Sequence, residues 1–200
     1  MITMLLSKSE ELQYAACKCM ISFVLENKKN QILVVQENLI EIILKLLRTE
    51  KIGLKVVLVI LRTISALCVD IANVNNANAQ LELVDKGIFD ILVPILEKPP
   101  SKIILIEAVH AIACILLGNE KSEEAFNYKI NLNTLINLLN EDDLELRLNA
   151  GKALSILAYN NKKRQKEIKI LGGICFSLFE EILKKDEMQV CMACFQVKSF

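Results

Sequence analysis

Hydrophobic residues recur along almost the whole chain at helical rather than alternating spacing, in long apolar segments separated by short polar ones. In the stretch RLNAGKALSILAYN, residues 147 to 160, Ala150, Ala153, Leu154 and Leu157 fall on one helical face, while Lys152 and Ile156 turn away from it. Small residues beside leucines on a single face predict a helix that packs closely against a neighbour. The apolar segments are too long for a series of strands, and only six glycines and three prolines interrupt them. The pattern predicts an all-α chain.

The same stretch recurs. Anchored on its small or apolar central residue, it aligns at Ala16, Ile60, Ala108, Ala150 and Ala193, at intervals of 44, 48, 42 and 43 residues. Such periods belong to helical solenoids. Each period runs in the same order, a long apolar helix, a short polar segment leading into a second helix, then a third. In the fourth unit these are LELRLNAGKALSILAYN, NKKRQKEIKI and ICFSLFEEILKK, with Gly172 and Gly173 making the reversal between the last two. Asn38, Gly87 and the Ile130 to Asn131 step hold the equivalent turns, and EKPPSK breaks the chain before IILIEAVHAIACILL. The long interval has a visible source in DIANVNNANAQ, residues 70 to 80, which reads as an inserted surface loop spanning Val74 to Ala79.

The register places residues two positions after each anchor opposite the apolar face. Four successive units carry Lys18, Arg62, His110 and Lys152 there, and four residues further on stand Ser22, Ala66, Cys114 and Ile156. One exposed slot is thus basic in four consecutive units, with Glu107 one turn before His110 weakening the stripe locally.

The glycine turn, the ICFSLFEEIL helix, the acidic loops KKDE and NEDD, and the following Ala-x-x-Ala-Leu together resemble armadillo repeats over essentially the whole chain. Within that family the texture is similar to the armadillo region of proteins that combine ankyrin and armadillo repeats, although no ankyrin repeat occurs here. The resemblance implies a right-handed α-solenoid of about four repeats plus a partial fifth, over residues 7–50, 51–100, 101–143, 144–187 and 188–200 of a single array. It also places the basic slot on the inner groove of the superhelix. Import adaptors of the family carry tryptophan in that groove, followed four residues later by an asparagine that clamps the backbone of an extended peptide. This chain has no tryptophan and holds Ser22, Ala66, Cys114 and Ile156 in the asparagine slot, which points away from the import-adaptor function. Basic residues suit carboxylate or phosphate groups instead. The implied function is a non-enzymatic scaffold that binds an acidic or extended segment of another protein along the groove formed by the eight slot residues. The alternatives are a spacer or docking segment of a longer ankyrin and armadillo protein, and a cochaperone that promotes nucleotide exchange on a heat-shock ATPase. The abrupt ends, without polar terminal caps, suggest a fragment or isoform of a longer protein, or self-association that covers the open ends.

Composition narrows the classes further. The chain is 53% hydrophobic, enough for a substantial core, and its 24 basic residues balance 24 acidic ones, so no overall field draws it to nucleic acid or to an anionic membrane. The start, MITMLLSKSEE, lacks the basic flank and small-residue site of a secretory signal. The most membrane-like run, residues 56 to 72, contains Arg62 and Asp70 and reads as a buried helix. Seven cysteines in apolar helical segments read as reduced thiols of an intracellular protein, in the cytoplasm or alternatively the nucleus.

Little of the chain suggests catalysis. His110 and Cys114 share a helical face but have no third orienting group. CMAC, residues 191 to 194, has the spacing of half a zinc or redox site without the other half. Cys17 and Cys19 read as small apolar fillers of alanine-type positions. KKRQK, residues 162 to 166, reads as the solvated face of a short helix, with Ile168 and Leu171 turned inward, and no Gly-Lys-Ser/Thr follows Gly172 and Gly173 to make a phosphate loop. No cofactor, metal or small-molecule substrate is expected.

Overall fold

In the computed structural model, residues 1–25, 27–49, 51–69 and 74–173 are described. The third helix of the fourth repeat, the CMAC motif and the partial fifth repeat at Ala193 lie outside them. Among the described residues there are twelve α-helices and no strand, only an isolated bridge between Val69 and Asn75. The chain forms two compact units, Met1–Lys129 and Ile130–Phe200.

The first unit is built from three rows of helices. Long helices α2 (Glu10–Val24), α5 (Leu54–Cys68) and α8 (Lys102–Leu116) have fifteen residues each, and α5 packs between the other two. Short helices α3 (Lys28–Gln36), α6 (Ala77–Asp85) and α9 (Glu120–Lys129) form a second row, α3 on α6 and α6 on α9. Helix α4 (Leu39–Leu47) closes against α3, α5 and α6, and α7 (Ile88–Glu97) against α6, α8 and α9. A four-residue helix, α1 (Ile2–Leu5), packs on α2 and α4. The second unit contains α10 (Leu132–Leu138), the fifteen-residue α11 (Leu144–Ala158) and α12 (Lys162–Ile170), with α11 packed on both others.

Local chemistry fixes where these helices begin. Ser9, Ser101 and Asp143 cap α2, α8 and α11, each side-chain oxygen accepting a backbone N–H three residues on. The short row is capped by asparagine throughout, with Asn27, Asn76 and Asn119 accepting from the N–H of Asn30, Ala79 and Ser122, and in the second unit Asn161 caps α12 in the same way, accepting from the N–H of Arg164. Between a short helix and the next, the chain turns through the left-handed region at Asn38, Gly87 and Gly172, with φ of 54°, 75° and 81°. Glycine and asparagine bear that conformation at least cost. In the third repeat the Ile130 to Asn131 step turns differently. Asn131 is extended and caps α10 with its side chain, and α10 has only seven residues.

All four described anchors, Ala16, Ile60, Ala108 and Ala150, are 0% exposed, as are Ile64, Leu67, Ile112 and Ile115 around them. Phe89 and Phe126 meet edge to face in this core with ring centroids 5.6 Å apart. No helix among the described residues is long and apolar enough to cross a membrane.

Three local expectations are corrected. The segment Val74 to Ala79 is not an open loop, because α6 starts at Ala77 and Asn76 is its buried cap. Asn75 and Asn76 bond inside the structure, Asn75 to Gln80 and the Gly118 carbonyl and Asn76 to Gln31. Cys17 is buried but Cys19 is exposed, since two residues along a helix turn about 200° and cannot share one face. Ile168 is buried as expected, whereas Leu171 is 38% exposed, because it is the C-cap of α12 and the chain folds back so that the Gly173 N–H bonds to the Ile168 carbonyl at 2.8 Å.

Candidate protein-binding face

The long helices bury their anchor side and leave the opposite side open. Lys18 and Ser22 on α2 and Arg62 on α5 are exposed, while Ala66 on α5 and His110 on α8 are half-buried. Cys114, the remaining slot residue of α8, is buried. In the second unit, α11 exposes Lys152 and half-buries Ile156.

Their electrostatic settings differ. The Lys18 ammonium sits over the Tyr14 ring, 5.7 Å from its centroid, and the Ser22 hydroxyl donates to the Lys18 carbonyl at 3.4 Å. Arg62 donates from Nε to Glu107 Oε1 at 2.6 Å, across from α5 to α8. The other oxygen of Glu107 lies 4.0 Å from His110 Nδ1. The Glu107 side chain is 12% exposed, against 52% for Arg62 and 42% for His110. Burial alone would raise the Glu107 carboxyl, but hydrogen bonds and charge from His110 and Arg62 outweigh it and hold the group below its ordinary value. The middle of the basic slot therefore encloses a carboxylate.

Cys114, the thiol on the His110 face, is itself buried. The imidazole faces Glu107. Burial pushes the Cys17 thiol up to about 12 and the Cys68 thiol well above its ordinary value, so neither supplies thiolate near neutrality. Among the described residues no group of three or more His, Cys, Asp or Glu is arranged to hold a metal ion.

Sequence reasoning missed an internal feature that keeps the slots in register. Gln31 on α3 donates to the Ala66 carbonyl at 3.1 Å, and Gln80 on α6 donates to the carbonyls of Cys114 and Leu117 at 2.8 and 2.9 Å. Gln31 and Gln80 thus each reach the last turn of the following long helix. Asn76 donates to the Gln31 side-chain oxygen, and both Asn75 and Asn119 donate to that of Gln80. The signal was present as an asparagine with glutamine four residues later at Asn27 and Gln31, Asn76 and Gln80, and Asn161 and Gln165.

No family model matches the chain. The mouse ankyrin and armadillo repeat-containing protein is 30% identical over 203 residues, covering 98% of this chain and 14% of that protein. Its human counterpart is 31% identical over 162 residues, covering 78% of this chain and 11% of the relative. The chain thus spans a small part of the length of either. Among solved structures, a designed armadillo repeat protein in complex with the peptide (KR)4 matches with a TM-score of 0.79 at 20% identity, covering 99% of this chain and 79% of the other. Computationally designed armadillo repeat proteins for modular peptide recognition match with a TM-score of 0.77 at 19% identity, covering 98% and 78%.

Proposed function

Because the chain belongs to the armadillo-repeat family, we propose that it is a non-enzymatic scaffold whose long-helix face binds an extended, acidic segment of another protein. The observation that carries this reading is that Lys18, Arg62 and His110 stand at one register position of the packed helices α2, α5 and α8, whose anchor sides are buried, with Lys152 at the same sequence register of α11 in the second unit. The designed relative that holds (KR)4 takes a basic peptide on an armadillo scaffold, and the basic slots here favour the opposite charge. Exposed charges of this kind are screened over about 8 Å at physiological ionic strength, so they steer and orient a ligand more than they hold it.

The test is fluorescence anisotropy with a labelled glutamate-rich peptide, its glutamine counterpart and a Lys-Arg repeat. Wild type is expected to bind the acidic peptide best and to lose affinity as salt rises. Lys18→Glu with Lys152→Glu changes two exposed side chains and is expected to weaken that binding about tenfold, chiefly through slower association. Equal binding by wild type and the double variant, without salt dependence, would make the slots incidental and favour the spacer reading.

A further inference from the structure

Arg62 is held by one edge only. Its Nε bonds Glu107, while among the described residues Nη1 and Nη2 make no hydrogen bond, and half of the side chain is open to solvent. A guanidinium fixed in this way presents its remaining N–H groups as a planar fork, which fits an anion with two acceptor oxygens. An anion docked there faces the arginine on one side and, behind it, the charge of Glu107. Glu107 cannot swing away cheaply, because it is largely buried and its second oxygen is turned toward His110.

We propose that Glu107 sets how strongly the groove distinguishes anions by charge at Arg62, offsetting the advantage that a phosphomonoester would otherwise hold over the carboxylate of an acidic peptide. This rests on the proposed binding face and names how its middle slot weighs ligand charge. The physical cause is valence. A carboxylate carries one negative charge and a phosphoserine about 1.5 to 2 near neutrality, so the repulsion from one fixed carboxylate is nearly doubled for the phosphate. The attraction of Arg62 and the repulsion of Glu107 both scale with the charge of the ligand, so Glu107 offsets much of what Arg62 would gain from a second negative charge. Lys18, with no carboxylate bonded to it among the described residues, is not offset in this way. The chain therefore holds two kinds of basic slot on one face, an open cation at Lys18 and a compensated one at Arg62, where a second negative charge on the ligand gains little.

The experiment uses the full chain and two labelled peptides, identical and glutamate-rich except for a central glutamate or phosphoserine. Wild type is expected to bind the two peptides within about threefold of each other, because little net charge is left to tell them apart. Glu107→Gln keeps the shape and removes the charge, and is expected to raise affinity about fivefold for the glutamate peptide and about twentyfold for the phosphoserine peptide. Adding Arg62→Gln to that variant should remove both gains, and Glu145→Gln, which removes an exposed charge elsewhere, should not reproduce the difference between the peptides. Circular dichroism melts establish that each variant is folded. The wild-type comparison needs no variant, and a preference for the phosphoserine peptide above about tenfold overturns the proposal. So does weaker or unchanged binding by Glu107→Gln, or an equal gain for both peptides. If neither peptide binds wild type or Glu107→Gln, the acidic-ligand reading of the face falls too, whereas binding that ignores Glu107 overturns this inference alone.

Discussion

At the scale of single residues, position along a helix decides burial, and the partner across the packing decides charge. Leu154 illustrates the first. It was assigned to the packed face from spacing alone, and it is 3% exposed in α11 beside Ala150 and Ala153. Leu154→Ala is expected to cost about 2 to 5 kcal/mol by chemical denaturation, as buried leucine truncations do. A loss under about 0.5 kcal/mol, the scale of a neutral surface change, would count against that burial. Arg62 illustrates the second. Its basic slot was legible because the repeat fixes its register, but its pairing with Glu107, 45 residues away, was not. Spacing within one helix shows that Glu107 stands near His110. It does not show which rotamer reaches across to the preceding helix. Leu171 escaped for a related reason, since helical periodicity stops applying at the cap where the chain turns back.

The elements show the same division. Four long helices and their order were readable because a fifteen-residue apolar run with small residues on one face has few other uses. The asparagine-rich stretch before α6 was misread because asparagine and glutamine look alike whether they face solvent or satisfy buried carbonyls. Gln80 is fully buried and joins α6 to the last turn of α8, whereas Gln165 is half-buried and donates to the Ala158 carbonyl within its own unit. Gln80→Ala leaves the Cys114 and Leu117 carbonyls without that donor. It is expected to cost about 1 to 3 kcal/mol in urea unfolding. Gln165→Ala should cost clearly less. Hydrogen exchange offers a second check, with amides in the last turn of α8 exchanging faster in the Gln80 variant.

Across the first unit, acid should act through a few carboxylates. Glu41 bonds Lys45 at 2.7 Å and Lys86 at 2.9 Å, and these two partners lower its pKa from the ordinary 4.5 to about 2. Glu107 is lowered as well by His110 and Arg62, against the opposing effect of its burial. Both groups bind protons more weakly in the folded state, so their stabilisation is complete above the ordinary carboxylate value and is lost as pH falls through the lowered ones. For Glu41 that window runs from 4.5 down to about 2. Thermal melts across it should show a falling midpoint. The slope should flatten in Glu41→Gln with Glu107→Gln, and an unchanged slope would mean that other groups govern acid unfolding. The glutamine ladder has one more consequence. One of its acceptors is the main-chain carbonyl of Ala66, whose half-buried side chain belongs to the proposed face. Every amino acid supplies the same carbonyl, so mutation can rewrite what that position recognises without touching the bond that ties α3 to α5, and a lineage can explore new partners while its architecture stands still.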